Sequence, residues 1–294
     1  MAKTAKAKTS ADPGNGIAFQ GSAGAYSDMA CRAVHPEMTT LPCESFEDTF
    51  AAVAEGRAGL AMIPIENSSA GRVADIHHLL PESGLHIIAE HFQKVDHQLL
   101  APKGAKLETI ECVHSHVQAL SQCRKFVRGA GLKPVVHADT AGAAAEVAER
   151  GDPSQAAIAS ELAGEIYELQ NLKSDIEDTE HNTTRFLIMA RDPVDPDPAQ
   201  GPVITTFVFR VRSVPAALYK GLGGFATNGV NLTKLESYIL DGTFTVAQFY
   251  ADIEGHPDER LVRLALEELS FFSREVKILG VYPANPFRAE AGEA

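Results

Sequence analysis

Four polar side chains follow an apolar run in the segment AMIPIENSSAGRV, and their types could position a polar substrate. The run predicts a β-strand, and directly after it come Glu66, Asn67, Ser68 and Ser69. Loops at the carboxyl ends of parallel strands are common ligand sites. The simpler interpretation is a solvated turn, because Asn and Ser also bond to their own backbone in turns.

A second cluster, HNTTRF, precedes another apolar run and contains an arginine. Thr183 and Thr184 supply hydroxyls, and the guanidinium of Arg185 is the kind of group that binds carboxylates in a bidentate manner. The alternative is a strand that begins with a surface arginine. The residue types alone leave both interpretations open.

The glycine-containing loop QGSAGAYS lies between a predicted strand and a predicted helix. Its glycines permit a tight turn, and we expect backbone amides near Gly24 and Ala25 to face outward. A helix N-terminus with free amides favours an anion. Any strand-to-helix turn can carry glycine, so this loop is weak evidence by itself.

Metal and nucleotide sites find little support in the sequence. The segment GLGGFA matches a dinucleotide-binding pattern, but it lies inside a helix pattern, where glycine favours close helix packing. The pairs His77-His78 and His114-x-His116 lack a third ligand at a recognisable spacing. The cysteines form no C-x-x-C pair. We therefore predict no metal and no cofactor.

The charge of the chain excludes several classes of partner. Among its 294 residues, 26 Lys and Arg stand against 39 Asp and Glu, for a net charge of -13. Such a field repels nucleic acid and anionic membranes, so we predict neither as a partner. It also requires that a site for an anionic substrate be locally positive. Residues 1–16 contain no apolar run, so we expect a disordered tail, no signal peptide and a cytoplasmic protein.

Apolar runs alternate with helical patterns after this tail, which predicts an α/β fold around mostly parallel sheets. We divide this part into lobe 1, residues 17–94 and 176–192, and lobe 2, residues 95–175. Two crossings between the lobes create a hinge and a cleft. Four prolines mark residues 193–202 as a linker.

Residues 203–284 predict a separate domain with the order βαββαβ, the ferredoxin-like arrangement. Pro215 suits the first turn of its first helix. Asp241-Gly242 predicts a hairpin turn between the two central strands. Residues 285–294 are expected to form a tail.

Four motifs, in this order and spacing, resemble those of the prephenate dehydratase family: FQGSAGAYS, IPIENSSAG, SHVQALSQC and NTTRF. The last segment resembles the ACT regulatory domain of that family, and the similarity extends from about Ile17 to Tyr282. The resemblance implies a two-lobed catalytic domain like that of periplasmic binding proteins, followed by a ferredoxin-like ACT domain.

The resemblance also assigns roles to individual residues. It implies that Thr184 is required for catalysis. It implies substrate-binding positions for Glu66, Asn67, Ser115, Gln122 and Arg185. The chain departs from the family in the first loop, where Ser22 stands for the usual proline and Ala25 for a hydroxyl residue.

The ACT resemblance implies regulation by L-phenylalanine in a homodimer or homotetramer. We expect Asn231, Glu236 and Ser237 to line the effector site. Half of each ACT signature is altered, since Gly-Ala-Leu-Val appears as AALY from Ala216 and Glu-Ser-Arg-Pro as ESYI from Glu236.

The implied reaction is the decarboxylative dehydration of prephenate to phenylpyruvate in L-phenylalanine biosynthesis. It needs a hydrogen-bond or proton donor for the leaving hydroxide, and neither a metal nor a redox cofactor. Threonine is a weak acid, so we predict that Thr184 donates a hydrogen bond to the departing hydroxyl. Two alternatives remain: an arogenate dehydratase, and a non-catalytic small-molecule sensor, because two lobes around a hinge are typical of binding proteins.

Overall fold

Strands and helices alternate along most of the chain. The computed structural model describes residues 13–73, 76–179, 181–240 and 247–292. Within those residues the strands form two sheets, one of ten strands and one of five. Each sheet contains parallel and antiparallel pairs, so the prediction of mostly parallel sheets describes only part of each.

Lobe 1 begins with alternating strands and helices. In chain order its elements are β1 (Gly16–Gln20), α1 (Tyr26–Val34), β2 (Thr39–Cys43), α2 (Phe46–Ala54), β3 (Leu60–Asn67), β4 (Gly71–Arg72), α3 (Ile76–Leu79) and β5 (His86–Lys94). β1 pairs in parallel with β2 and β3. Ser45 caps α2, since its hydroxyl oxygen accepts the amide of Asp48 at 3.1 Å.

Lobe 2 contains the second sheet. Its elements are β6 (Gln98–Ala101), β7 (Cys112–His116), α4 (Val117–Gln122), α5 (Arg124–Gly129), β8 (Lys133–His137), α6 (Thr140–Arg150), β9 (Gln155–Ala159), α7 (Glu161–Ile166) and β10 (Gln170–Lys173). β7 runs parallel to β8 and β9, whereas β6 runs antiparallel to β9 and β10. Short 3₁₀ turns lie at Pro13–Asn15, Leu80–Glu82, Leu107–Thr109 and Pro198–Gln200.

The chain returns to the first sheet through β11 (Thr183–Ala190), which lies antiparallel between β3 and β5. Alternate residues of a strand face opposite sides of its sheet. Phe186 and Ile188 belong to a buried cluster that includes residues of lobe 2. Leu187 and Met189 belong to a different cluster. The two faces of β11 therefore pack against different parts of the molecule.

The C-terminal domain follows the predicted βαββαβ order. Its elements are β12 (Val203–Val211), α8 (Ala217–Thr227), β13 (Leu232–Ile239), β14 (Ala247–Glu254), α9 (Arg260–Phe272) and β15 (Ser273–Pro283), and a last helix is α10 (Phe287–Gly292). The strands lie in the order β13-β14-β12-β15 and are antiparallel throughout.

β15 joins this domain to lobe 1. It pairs with β5 through Gly280 and Ile87, so the strands of lobe 1 and of the C-terminal domain form the one ten-stranded sheet. A Cβ at Gly280 would lie 2.2 Å from the carbonyl oxygen of Ile87, so only glycine allows this approach. The cluster that contains Leu187 also contains Val208 and Tyr282. One buried core therefore spans lobe 1 and the C-terminal domain.

The start of α8 differs from the sequence prediction. The helix begins at Ala217, so Pro215 precedes it rather than occupying its first turn. Ala216 has a φ of 60°, a left-handed conformation that favours glycine. The glycine pattern inside α8 permits close packing, as predicted, since a Cβ at Gly224 would lie 2.8 Å from Cβ of Glu268 on α9.

Further differences concern turns and chain ends. The predicted hairpin turn at Asp241-Gly242 lies outside the described residues. β1 already begins at Gly16, the last residue of the predicted N-terminal tail. The predicted tail after residue 284 includes α10, where Nε of Arg288 donates to Glu90 of β5 at 2.6 Å. Among the helices of the described residues, none has the length and hydropathy needed to cross a membrane.

Candidate active site

A cleft of about 540 Å³ opens between lobe 1 and lobe 2. Its walls include residues of β3, β11 and α1 from lobe 1, and of α4 and α6 from lobe 2. This volume suits a small organic molecule. Of the predicted site residues, Asn67, Gln122 and Thr184 line the cleft. The structure thus brings together side chains from three motifs that are distant in sequence.

Thr184 and Asn67 are hydrogen-bonded to each other in this cleft. They are paired residues of β11 and β3. Asn67 Nδ2 donates to Thr184 Oγ1 at 2.9 Å and to Asn182 Oδ1 at 2.7 Å. Asn67 Oδ1 accepts the amides of Ser69 and Ala70, which fixes the orientation of the side chain. Because Thr184 Oγ1 accepts from Asn67, its own proton is available for a molecule in the cleft.

His97 links two other residues of the cleft. Its Nδ1 lies 2.8 Å from the hydroxyl of Tyr26, and its Nε2 lies 2.8 Å from Oε1 of Gln122. Burial lowers the pKa of His97, so the ring is neutral at neutral pH. Burial also raises the pKa of Tyr26 well above its usual value, so its hydroxyl keeps its proton. Sequence reasoning missed both residues, although Tyr26 lies within the QGSAGAYS motif.

The N-terminus of α1 faces the cleft, but the two amides expected to bind an anion are already occupied. The amide of Gly24 donates to the buried carboxylate of Asp28 at 2.8 Å, and that of Ala25 donates to a carbonyl within the loop at 3.0 Å. The prediction that these two amides face an anion is therefore wrong. Tyr26 and Ser27, the first residues of the helix, line the cleft, and the N-cap residue Ala25 makes no side-chain capping hydrogen bond. The helix dipole still favours negative charge at this wall.

Gly24 is required for packing between the lobes. Its φ is +85°, and a Cβ there would lie 2.8 Å from Cα of Ala163 on α7. The hydroxyl of Tyr167 donates to the carbonyl of Ala23 at 2.9 Å, and that of Ser160 donates to the carbonyl of Gly24. The first loop therefore fastens lobe 1 to lobe 2 beside the cleft.

Comparisons with known proteins place the chain in one family. The family model described as prephenate dehydratase matches residues 17–194. A bifunctional N-acyl-homoserine lactone acylase/prephenate dehydratase of Komagataeibacter europaeus is 54% identical over 272 residues, covering 92% of this chain and 97% of that protein. The chain belongs to the prephenate dehydratase family.

Two further relatives support this membership of a family of lyases. Arogenate dehydratase/prephenate dehydratase 1 of Arabidopsis thaliana is 38% identical over 286 residues, covering 92% of this chain and 73% of that protein. The crystal structure of a prephenate dehydratase from Arthrobacter aurescens in complex with L-Phe is 30% identical, with a TM-score of 0.83 over 92% of this chain and 90% of that one. The predicted family is therefore confirmed.

Thr184 lines the cleft of this member of the prephenate dehydratase family, but the next residue, Arg185, faces away from the cleft. Its side chain is 3% exposed. The guanidinium donates hydrogen bonds to Glu90 at 2.8 Å, Glu66 at 3.0 Å, Asp252 at 2.6 Å and Tyr282 at 3.0 Å. This placement corrects the prediction that Arg185 binds the substrate. Adjacent residues of a strand face opposite sides of the sheet, so Arg185 cannot share the cleft with Thr184. Its guanidinium instead joins lobe 1 to the C-terminal domain.

Glu66 belongs to the same network and not to the cleft. Besides Arg185, it contacts Nζ of Lys234 on β13 at 2.5 Å. Burial raises the pKa of Glu66, but Lys234 and Arg185 outweigh burial and hold the pKa below its usual value. The carboxylate therefore stays ionised and binds the C-terminal domain, which corrects the prediction that it contacts the substrate.

Ser115 also lies outside the cleft. It is fully buried in lobe 2, where its hydroxyl donates to the carbonyl of Ile158 on β9 at 2.6 Å. Its neighbour His116 lines the cleft instead. The predicted substrate contact of Ser115 is corrected accordingly, because the side chain holds β7 against β9.

The predicted effector residues lie at two places, one just before β13 and one within it. Asn231 precedes the strand, donates to Glu254 at 3.1 Å and lines a cavity of about 1140 Å³. Glu236 and Ser237 lie further along β13, where they contact Arg72 of lobe 1. The residues that line the larger cavity do not include Glu236 or Ser237.

One group of carboxylates has the spacing of a cation site. Oxygens of Asp96, Asp175 and Glu177 lie within 4.8 Å of one another. Lys94 pairs with Asp96 at 2.8 Å, and Glu177 accepts the amide of His97 at 2.9 Å. Protein groups therefore already balance part of this negative charge.

Proposed function

We propose that the chain catalyses the decarboxylative dehydration of prephenate to phenylpyruvate, with Thr184 as the catalytic residue. The observation that carries this proposal is the hydrogen bond from Asn67 to Thr184 in the cleft between the lobes. This bond leaves the threonine proton free to be donated. Membership of the prephenate dehydratase family supports the reaction class.

The reaction breaks two bonds of prephenate and makes its ring aromatic. The ring carboxylate leaves as carbon dioxide, and the electron pair of its C–C bond enters the ring. The C–O bond of the ring hydroxyl breaks, and hydroxide leaves as water after taking up a proton. Thr184 donates a hydrogen bond to the departing oxygen and stabilises its negative charge, while Asn67 holds the threonine in place.

Arogenate is the alternative substrate. It carries an amino group in place of the keto group of prephenate, and this difference is remote from the ring hydroxyl that reacts. The Arabidopsis relative bears the names of both activities. Prephenate is our preferred substrate because the relative that is 54% identical is named for prephenate.

Purified protein mixed with prephenate, with arogenate in a parallel reaction, tests the proposal through the appearance of phenylpyruvate or phenylalanine. We expect turnover of prephenate without added metal or nucleotide, and full activity after chelator treatment. Protein that is inert after chelation and recovers with metal contradicts the mechanism. Tight binding without turnover favours a small-molecule sensor.

A second candidate activity is hydrolysis of the amide bond of an N-acyl-homoserine lactone. The Komagataeibacter relative is named for this activity too, and the match covers 97% of its length, so the segments that carry its second activity have counterparts here. The test is release of homoserine lactone from such a substrate. Thr184→Ala shows whether both activities use the same cleft.

We further propose that residues 203–284 form an ACT-type domain through which L-phenylalanine regulates a catalytic unit of residues 17–192. The βαββαβ order supports this, as does the Arthrobacter relative, which was crystallised with L-Phe. β13 is the edge strand of its sheet, and Leu235 and Ile239 are 39% and 45% exposed there. Such an edge suits pairing with a second copy in a cytoplasmic homodimer or homotetramer.

Titration of L-phenylalanine into the full chain, with activity and molecular mass recorded together, tests this regulation. We expect inhibition that accompanies a change in assembly or conformation. Leu235→Lys is expected to weaken both assembly and inhibition, whereas Val136→Lys, which changes a 66% exposed residue of β8 at an edge of the second sheet, serves as a control. Inhibition of a monomeric Leu235→Lys protein contradicts the shared site.

A further inference from the structure

Among the described residues, the cleft has no cation that is free to bind a substrate carboxylate. Arg72 is the single Lys or Arg that lines it there, and its guanidinium donates to the backbone carbonyl of Ser237 in the C-terminal domain at 2.9 Å. Arg185 is buried against carboxylates away from the cleft. The net charge of -13 also opposes an anion. An anionic substrate therefore depends on neutral N–H and O–H donors that are held in fixed positions.

The side-chain amide of Gln122, at the end of α4, can supply two such donors. Its Oε1 lies 2.8 Å from Nε2 of His97. An amide oxygen only accepts hydrogen bonds, so Nε2 of the ring carries a proton and donates it. Within the described residues the amide nitrogen of Gln122 has no hydrogen-bond partner, and Gln122 lines the cleft. Its two N–H groups are therefore available to a bound molecule.

Contacts of its backbone and of its ring fix the position of His97. Its amide donates to Glu177 at 2.9 Å, and the ring of Tyr26 packs against it edge to face, with centroids 5.6 Å apart. The neutral ring carries its one proton on Nε2, so Nδ1 accepts from the hydroxyl of Tyr26 at 2.8 Å. The carbonyl of Asp96 lies beside the same hydroxyl at 2.9 Å. His97 is 2% exposed, so water does not compete for these bonds.

The two carboxylates of prephenate make different demands on a donor. The ring carboxylate loses its charge as it leaves as carbon dioxide, so a strong hydrogen bond to it stabilises the substrate more than the transition state and slows the reaction. The side-chain carboxylate keeps its charge and remains on phenylpyruvate. A fixed pair of donors therefore suits the side-chain carboxylate, which it binds equally well before and after the reaction.

We propose that His97 is a positioning residue, which turns the amide of Gln122 so that its N–H groups bind the side-chain carboxylate of the substrate. The identity of that substrate rests on the proposed function. Nε2 of His97 holds the oxygen end of the amide, and the hydroxyl of Tyr26 selects the tautomer that makes this nitrogen a donor. Tyr26 of lobe 1 and Gln122 of lobe 2 thus build one carboxylate subsite through a single ring.

Steady-state kinetics test the positioning. Gln122→Leu and His97→Leu are each expected to raise KM for prephenate about 10- to 100-fold, the usual loss for a hydrogen bond to a charged group, with a smaller change in kcat. The double variant should be no worse than Gln122→Leu alone, because His97 acts through the amide. His97→Gln should recover part of the loss, because its amide nitrogen replaces Nε2 as the donor. Additive effects, or a wild-type KM in His97→Leu, overturn the proposal.

Two further variants complete this series. Tyr26→Phe keeps the ring and removes the hydroxyl, so it should raise KM in the same direction, and it replaces His97→Leu in the test if that protein does not fold. His91→Leu is the matched control, since His91 also contacts a glutamine side chain, that of Gln93 at 3.3 Å, and is not among the described residues of the cleft wall. Its KM should equal that of wild type. A rise in KM as large as that of His97→Leu contradicts a specific role of His97.

Gln122→Glu determines which end of the amide faces the substrate. The glutamate places a carboxylate oxygen where the N–H groups stand, so it repels the substrate carboxylate and should raise KM more than Gln122→Leu does. A Gln122→Glu protein with the KM of wild type means that the amide oxygen faces the cleft, and it overturns the proposal.

Titration calorimetry with phenylpyruvate separates this proposal from the proposed function. The probe retains the side-chain carboxylate but not the ring carboxylate, so its Kd should rise about 10- to 100-fold in His97→Leu and Gln122→Leu, as KM does. An unchanged Kd in both variants overturns the proposal, because it moves the contact away from the side-chain carboxylate. A wild type that binds the probe through Gln122 yet does not convert prephenate contradicts the proposed function alone.

Discussion

Asn67 Nδ2 lies 2.9 Å from Thr184 Oγ1, across paired positions of β3 and β11. Asn67 is in turn held by the amides of Ser69 and Ala70. The orientation of the Thr184 hydroxyl on β11 therefore depends on the loop between β3 and β4, because this loop fixes the side chain of Asn67.

The pair should act as a unit in catalysis. Thr184→Ala is expected to lower kcat on the order of 100- to 10,000-fold, the usual contribution of a positioned donor, and Thr184→Ser to retain more. Asn67→Ala should lower kcat in wild type but have little further effect in the Thr184→Ala protein, because Asn67 acts through the hydroxyl. Steady-state kinetics of the four proteins, with circular dichroism to check folding, measures this. Equal effects of Asn67→Ala in both backgrounds would show independent roles.

Arg185 should contribute to stability rather than to substrate affinity. Arg185→Ala removes the guanidinium that the buried carboxylates of Glu90 and Asp252 share, which leaves Glu90 with Arg288 at 2.6 Å and Asp252 with the same group at 3.9 Å. Removing one member of a buried ion pair costs about 3–5 kcal/mol, which urea unfolding measures. Arg57→Ala, at an exposed pair, should change stability by less than about 0.5 kcal/mol. A stable Arg185→Ala protein with a raised KM would return Arg185 to the substrate site.

Substitution of two glycines by alanine is expected to change stability in opposite directions. Gly280→Ala should destabilise by about 1–3 kcal/mol, because its Cβ would meet the carbonyl of Ile87 at the junction of β15 and β5. Gly223→Ala should stabilise by about 0.5–1 kcal/mol, because it lies inside α8 with open space around it. Thermal unfolding compares the two variants with wild type. Equal stability of the Gly280→Ala protein would mean that the strands separate at little cost.

Part of the site follows from the sequence by simple strand geometry. Neighbouring strand residues face opposite sides, so Thr184 and Arg185 could not both line one cleft, and this signal was present in the pattern of β11. Family motifs mark which segments meet, but not which side chain of each segment faces the ligand.

Other parts of the site depend on tertiary contacts that no local pattern encodes. His97 follows β5 in a stretch without a motif, and its partners Tyr26 and Gln122 come from the two lobes. The order of elements in the C-terminal domain was predictable from alternating patterns. Its pairing with β5 through Gly280 was not, because the pairing joins positions far apart in the chain.

Stability should fall in mildly acidic solution. Burial lowers the pKa of His77, His91 and His97 below 6.5, so the unfolded chain takes up these protons at a higher pH than the folded chain does. This contribution is fully present above about pH 6.5 and is lost as the pH falls towards the lowered values. Urea unfolding between about pH 7.5 and about pH 5.5 should show the decrease.

Substitution of one of these histidines assigns the effect. His97→Gln is expected to flatten the dependence on pH, because it removes one of the buried rings whose pKa is lowered. If the free energy of unfolding of the His97→Gln protein depends on pH as steeply as that of wild type, His97 does not contribute to the effect, whatever the absolute stability of the variant.

Lobe 1 and the C-terminal domain share one sheet. Residues 193–202 connect them in sequence, but the two parts are expected to unfold together. β15 lies beside β5, and Leu187, Val208 and Tyr282 share one buried cluster. Heat should therefore melt both parts in a single calorimetric transition. A protease that cuts within residues 193–202 should give a nicked protein whose two fragments migrate as one particle and separate only in denaturant.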